Sequence, residues 1–282
     1  MNPAPRLSLI IAVRNGAATL PDCLDSIRQQ TYGNLELIVV DGASTDATVE
    51  ILRQRDDAID HWISEPDRGI HHAWNKGLAR ASGDWIGFLG ADDYLWSAAA
   101  VETLARHLPA GQTPRPRVVY GQVAVVNGAG EILYVVGDDW SQAGPRFRQV
   151  MTLPHPGLLH HRSLFEDFGP FDESYRIAGD YELLLRELKQ GAAHFVESAG
   201  IVVGMRVGGI SSRPEQSLRQ LLEVRHAQKR HGLAMPGRHW LAALARVCIR
   251  LTLWRMLGER QTRRLLDLGR RLQGKPPFWT RS

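Results

Sequence analysis

The chain has 282 residues, 44% of them apolar and 23% charged, with a formal net charge of +4. That composition supports a sizeable core and excludes a disordered chain, and the length suits one large α/β domain or one domain with an appendage. Two cysteines, Cys23 and Cys248, lie far apart and outside any CxxC, which argues against a zinc site or disulfide framework and fits a reducing compartment.

The first hundred residues alternate between strand and helix patterns. "LSLIIAV" (7–13) is a β-rich apolar run, read as a first strand because it is short for a signal peptide and lacks a small-residue cleavage site. "AATLPDCLDSIRQQ" (17–30) has helical spacing through Leu20, Leu24 and Ile27, and "LELIVV" (35–40) is a second buried strand. "STDATVEILRQR" (44–55) reads as a helix with Ser44 or Thr45 as its N-cap. "HWIS" (61–64) is a short third strand, "IHHAWNKGLARA" (70–81) a helix and "DWIGFL" (84–89) a fourth strand. Such alternation with short connections predicts a parallel sheet with helices on its faces. Ligands of such sheets bind at the carboxyl ends of the strands. Four polar stretches stand there: "RNG" (14–16), "DGASTD" (41–46), "EPDRGI" (65–70) and "GADD" (90–93).

Beyond residue 97 the alternation loosens. "VVYGQVAVV" (118–126) and "EILYVV" (131–136) flank a hairpin signal, "NGAG". Residues 144–165 read as loop-rich and hold three histidines, His155, His160 and His161. "IAGDYELLLRELKQG" (177–191) is a helix that ends at Gly191, "HFVESAGIVVGMRV" (194–207) two short strands, "GGISSRP" (208–214) a glycine-bearing loop and 215–232 a helix.

The order "IIAVRNGAATLPDCLDSIRQQTYGNLELIVVDGASTDAT", "DRGIHHAWNKGLARASGDWIGFLGADD" and "GGISS" resembles the family 2 glycosyltransferases, of the bacterial polysaccharide-assembly type, over about residues 6–212. The resemblance implies a GT-A fold, a Rossmann-like and mainly parallel sheet flanked by helices. It also implies a nucleotide-sugar donor and inversion at the anomeric carbon. It divides the chain into a catalytic domain, 1–232, with a nucleotide-binding half (1–97) and an acceptor half (98–232), followed by a tail (233–282).

Carried onto this sequence, the family pattern places Ala12, Arg14 and Asn15 beside the nucleotide base. Asp41 falls on the base or ribose, with Gly42 where the family commonly has a second acid. Asp67 and Arg68 match the donor-side loop near the diphosphate and sugar, and Asn75 on the next helix is grouped with them. Asp92 matches a ribose contact, Asp93 the ligand of a divalent metal, Mn²⁺ or Mg²⁺, and Asp180 the catalytic base. His155, His160 and Glu182 are acceptor-side candidates.

The chemistry has its own logic. The donor leaves as a diphosphate, and a hard cation bound through oxygen neutralises the charge that builds up there. The diphosphate supplies further oxygens, so Gly90 need not be an acid. An attacking hydroxyl needs a base within hydrogen-bond reach. At a helix start the macrodipole favours the ionised form of Asp180, and Gly179 leaves room for a sugar. Other readings stand beside these. Asp180 could simply cap its helix, Glu182 is a rival base, and the histidines could be structural. His71, His72, Trp62, Trp74 and Trp85 read as core or pocket wall. A nucleotide-sugar-binding subunit without turnover is the alternative function. A dinucleotide-dependent oxidoreductase lacks support because no GxGxxG follows the first strand.

From His231 onward eleven Lys/Arg face two acids, so this stretch carries +9 and the preceding 230 residues −5. The tail pattern places Leu241, Leu244, Cys248 and Leu251 on one helix face, with Arg246 and Arg250 opposite. Arginines at 246, 250 and 255 argue against a membrane span. One reading is an amphipathic helix, residues 236–282, on an anionic membrane, which would place a cytoplasmic enzyme peripherally on the inner face beside a glycan or lipid-linked acceptor. The other is a helical extension packed on the catalytic domain or on a second subunit. No nucleic acid is expected, since no recognised binding motif accompanies the charge.

Overall fold

Period-two side-chain alternation sorts the apolar strand residues between two cores. The computed structural model describes residues 4–109, 115–209, 214–234, 238–274 and 277–280. In β1 (Leu7–Val13), Leu9, Ile11 and Val13 enter one core and Ile10 the other. The same split runs through β2 (Leu35–Asp41), where Leu37 and Val39 oppose Ile38 and Val40. Helix α1 (Leu20–Arg28) buries Leu20, Cys23, Leu24 and Ile27 in the first core, and Leu52 of α2 (Thr48–Gln54) joins them. The second core receives Ala73 and Trp74 of α3 (Ile70–Leu78). With both faces covered, the strands read as continuous apolar runs, which is why they were legible in the sequence.

β1 and β2 continue outward to β3 (His61–Ser64) and, on the other side of β1, to β4 (Trp85–Gly90), all parallel. β5 (Tyr94–Leu95) and α4 (Ala100–Ala105) follow. The segment 118–126 is two strands and not one. β6 (Val118–Tyr120) belongs to the main sheet and β7 (Gln122–Val126) to a second. The chain turns between them at Gly121, where a Cβ would lie 2.8 Å from the Val202 side chain. β8 (Ile132–Val136) pairs with β7 as the hairpin signal predicts.

Residues 144–165 are also more ordered than the pattern suggests. They run through α5 (Trp140–Phe147), β9 (Leu158–His161) and the start of α6 (Arg162–Phe168). β9 is antiparallel and lies between β4 and β6, inside the main sheet. Then come α7 (Gly179–Leu188), β10 (His194–Phe195) and β11 (Ile201–Arg206). The seven-stranded sheet has the order β10-β6-β9-β4-β1-β2-β3, and the smaller sheet β5-β11-β7-β8. The fold is thus the expected α/β arrangement with a mostly parallel sheet. α7 is fixed from below by Arg117, 1% exposed, which bonds Glu187 of α7, Asp167 of α6 and the Ser163 carbonyl.

α2 begins at Thr48, later than the pattern suggests, with neither Ser44 nor Thr45 as its cap. Asp46 instead accepts the Thr48 N–H at 3.0 Å, and Ser44 turns back to Asp41. At the C-terminal end, α8 (Pro214–Arg230) packs against α7 and α9 (Arg238–Leu272) against α8, with a turn in α9 at Gly258 (φ 73°). The tail's faces differ from the expected ones. Arg250 lies inward, bonds Ser217 and places its guanidinium 5.2 Å from the Trp279 ring centre, while Leu241 and Cys248 are exposed. Asp267 accepts the backbone N–H groups of Phe278, Trp279 and Thr280, which folds the chain's end onto the helix, and Phe278 reaches Tyr134 of β8. No helix among the described residues is long and apolar enough to cross a membrane.

Candidate active site

Register brings the polar loops together. Ala12 pairs with Gly90, Val13 with Asp41 and Asp41 with Ser64, so the ends of β1 to β4 form one edge.

At the first two strand ends, side chains tie one loop to the other. Asn15, in a left-handed conformation (φ 53°), accepts the Thr45 N–H at 2.8 Å, and its own N–H goes to Ser44 at 2.7 Å. The Gly16 N–H donates to Thr48 and the Ala17 N–H to Asp46. Asp41 is fully buried. One of its oxygens accepts the Ser44 hydroxyl, and the other accepts the Ser44 N–H at 3.0 Å and the Ser64 hydroxyl at 2.6 Å. Asp41 therefore organises its own loop. Arg14 is exposed at the strand end.

The next carboxylate comes from the loop after β3. Asp67 accepts the Gly69 N–H at 2.8 Å through Oδ1, and its Oδ2 lies over Gly42. Arg68 pairs with Glu173, and its carbonyl accepts from Arg176 at 2.8 Å. Asn75 has its amide engaged by Phe171 N–H, Phe171 carbonyl and Glu173, so it ties α3 to the 171–173 loop.

After β4, Asp92 and Asp93 converge. A Cβ on Gly90 would lie 2.7 Å from Asp92 Oδ1 and 2.9 Å from Asp93 Oδ2. An acid at position 90 would collide with the two that are there. Asp93 is 5% exposed, and burial pushes its carboxyl well above the usual carboxylate range, with the Asp92 charge adding to the rise. Two carboxylates held this close disfavour joint ionisation unless a cation joins them. Arg206 braces the pair. Its N–H donates to Asp93, while its guanidinium bonds the Asp92 carbonyl and Asp22 and lies over Tyr94. Gly209 approaches the other Asp92 oxygen, a Cβ there falling at 3.2 Å; residues 210–213 of the "GGISSRP" stretch lie outside the described residues. Among the described residues no group of three or more His, Cys, Asp or Glu could hold a metal. The donor set here is a pair of carboxylates, and carboxylate oxygens suit a hard divalent cation.

Asp180 stands in the first turn of α7, half-buried, with Ala178 and not Asp180 at the cap position. Burial pushes its carboxyl up; His71 and the N–H groups of Tyr181 and Asp180 oppose that only in part. Desolvation thus acts against the charged form that the helix start was expected to favour. Gly179 also has another reason than a sugar's approach: a Cβ there would lie 2.6 Å from His71 Nε2. The turn before α7 is capped from another helix, where Glu223 of α8 accepts the N–H groups of Arg176, Ile177 and Ala178. Arg176 thereby links this turn to the Arg68 loop.

The three acceptor-side candidates fall elsewhere. Glu182 is 2% exposed and pairs with Arg186 and His231. His155 and His160 lie in the aromatic core with Phe88, Trp74 and Phe171. Burial keeps both neutral, His160 pushed down to about 4. His71, read from the sequence as core or pocket wall, packs against Gly179 beside Asp180. Arg206, Arg176 and Glu223 are site-building residues that no sequence motif marks, and only the folded chain brings them to the acids.

The model of glycosyl transferase family 2 matches residues 8–162. A PGL/p-HBAD biosynthesis glycosyltransferase of Mycobacterium bovis is 35% identical over 192 residues, 65% of this chain and 70% of that one. A glycosyltransferase of Rickettsia typhi is 30% identical over 198 residues, 68% of this chain and 61% of that one. Among solved structures, the mannosyltransferase PcManGT from Pyrobaculum calidifontis, in complex with GDP-Man and Mn²⁺, superposes with a TM-score of 0.62 at 20% identity, covering 99% of this chain and 83% of that one. S. aureus TarS 1-349 in complex with UDP-GlcNAc gives 0.61 at 17% identity, covering 95% and 78%.

Proposed function

Because this chain belongs to glycosyl transferase family 2 and is a glycosyltransferase, we propose that it moves a sugar, with inversion, from a nucleoside-diphosphate donor to an acceptor hydroxyl. The acceptor is a glycan or a lipid-linked glycan of a surface polysaccharide. The observation that carries this reading is the convergence of Asp92 and Asp93 on Gly90 at the end of β4, with Asp93 buried. PcManGT, bound to GDP-Man and Mn²⁺, has the same fold, which supports the donor class.

Asp93 would hold a divalent cation, Mn²⁺ or Mg²⁺, beside Asp92 on the donor ribose. When bound, that cation supplies charge neutralisation for the departing diphosphate. The 90–93 turn is kept in shape by Arg206, whose guanidinium is engaged with Asp22 and the Asp92 carbonyl. Asp180 takes the proton of the acceptor hydroxyl as that oxygen bonds to C1 from the face opposite the diphosphate. The C1–phosphate oxygen bond breaks and the nucleoside diphosphate leaves with the electron pair. A base with a raised pKa is a stronger proton acceptor once ionised, which suits it to an alcohol.

The tail is read as a peripheral membrane contact on the inner face. Leu241, Ile249 and Met256 are exposed among arginines on α9. That mixture fits an anionic lipid surface better than bulk water.

A panel of nucleotide sugars, each assayed for thermal stabilisation with and without Mn²⁺, tests the reading. One donor should raise the melting temperature strongly with Mn²⁺ and weakly without it. Failure of every donor to stabilise the chain in Mn²⁺ would remove the support for it.

A further inference from the structure

The residue expected to meet the nucleobase, Asp41, has both carboxylate oxygens engaged and no exposed surface. The next position, Gly42, has no side chain to offer. A carboxylate nevertheless occupies the space such a side chain would fill. A Cβ on Gly42 would lie 2.1 Å from Oδ2 and 3.0 Å from Cγ of Asp67. The Gly42 N–H is bonded to the Val13 carbonyl at 2.8 Å, so the backbone here is fixed by the sheet edge. Asp67 is fixed as well, through the Gly69 N–H on Oδ1. Oδ2 therefore stands between the ends of β1 and β2, next to Arg14, whose Cβ is 3.6 Å from the same point.

We infer that Asp67, reaching across from the loop after β3, reads the nucleobase of the donor in place of a residue at position 42. It selects a base whose pairing-edge ring nitrogen carries a hydrogen: uracil, thymine or guanine. This rests on the nucleotide-sugar reading above. It moves Asp67 away from the diphosphate, where its own negative charge would be repelled.

The selection follows from donor and acceptor roles. An ionised carboxylate only accepts hydrogen bonds. Uracil and thymine offer N3–H, and guanine offers N1–H. Cytosine N3 and adenine N1 carry lone pairs instead, so an acceptor would face an acceptor. A hydrogen bond to a charged group, set against such an unmatched contact, separates the two classes by about 10- to 100-fold. Gly42 is part of the device, because any side chain there would displace Asp67.

The test is calorimetric binding of UDP, GDP, CDP and ADP in Mn²⁺ to the full chain and to two variants, each checked for an intact melting transition. The wild type should bind UDP or GDP about tenfold or more tighter than CDP and ADP. Asp67→Asn can keep its oxygen on the Gly69 N–H and turn its amide N–H to the base, so the preference should collapse and CDP should gain. Gly42→Ala should lose the preference without that gain, since Asp67 is pushed aside and no donor replaces it. Wild-type binding of CDP or ADP as tight as that of UDP and GDP overturns the assignment. So does an unchanged ranking in both variants. Absence of binding by all four diphosphates overturns the nucleotide-sugar reading and this inference with it, whereas binding with the wrong ranking removes only the role of Asp67.

Discussion

The imidazole of His71 packs against Gly179 so closely that a Cβ on Gly179 would lie 2.6 Å from Nε2, 2.7 Å from Cε1 and 2.8 Å from Cδ2. The ring cannot swing away freely, because Nδ1 is bonded to the Tyr175 carbonyl at 2.9 Å and His71 is 2% exposed. Gly179→Ala must therefore move the first turn of α7 and Asp180 with it. Turnover should fall on the order of 10²-fold, the scale of a misplacement of about 1 Å, while donor affinity is unchanged. Steady-state kinetics beside calorimetric donor binding would separate the two. Equal loss of both would point to general unfolding.

Asp180→Asn should lower transfer by roughly 10²–10⁴-fold and leave donor binding intact. Burial raises the pKa of Asp180 in the folded chain. The protonated form is thus favoured by folding, and the associated stability is present below the unfolded carboxylate range and lost as pH rises through the folded value. The neutral amide escapes that loss, so at neutral pH the variant should melt higher than wild type. For the same reason the acid limb of the wild-type rate profile should lie above the ordinary aspartate range. A variant with near wild-type turnover would rule Asp180 out as base.

Gly90→Asp should weaken metal-dependent nucleotide binding, although it adds an acid. The new side chain collides with the Asp92 and Asp93 oxygens that converge there. Asp93→Asn should remove the Mn²⁺ enhancement of nucleotide affinity by about tenfold or more, since one charged ligand is lost. Titrating Mn²⁺ against a fixed nucleotide measures both. Tighter metal binding by Gly90→Asp would contradict the geometry.

His160 is fully buried beside Phe88, and burial pushes its pKa down to about 4. Its unfolded counterpart titrates near 6.5, so the unfolded chain binds the proton first. The stability from keeping it neutral is whole above pH ~6.5 and is lost as pH falls toward ~4, amounting to roughly 3 kcal/mol. Urea unfolding from pH 7 to 4 should show this slope, and His160→Leu should flatten it. A slope unchanged in His160→Leu would assign the acid sensitivity elsewhere.

Arg255, Arg260 and Arg264 are exposed on α9. Replacing all three with Gln should weaken co-sedimentation with phosphatidylserine vesicles by about 10²-fold, at about 1 kcal/mol per charge near an anionic surface. The loss should shrink in high salt. Wild-type chain that stays in the supernatant at low salt would leave the tail as a protein-packing element alone.

Much of this chain was legible before folding. Strands buried on both faces, such as 7–13 and 35–40, announce themselves as continuous apolar runs, and short connections between them force a parallel sheet. That sheet puts the loops after β1 to β4 on one edge, so Asp67, Asp92 and Asp93 could be marked as site candidates from their positions. Local pattern fails where contacts are distant in sequence. It could not show that β9 returns antiparallel inside the sheet, since "LLHH" is too short to carry a period. It left His155 and His160 open between an acceptor-side and a structural role, and the fold packs them among aromatic rings. The family pattern assigns Asp41 to the donor and expects an acid where Gly42 stands. The folded edge turns Asp41 inward onto Ser44 and Ser64 and brings Asp67 over Gly42. Composition and period fix which elements form; which carboxylate is satisfied and which remains open depends on neighbours 23 to 47 residues away and more, and those meet only when the sheet closes its register.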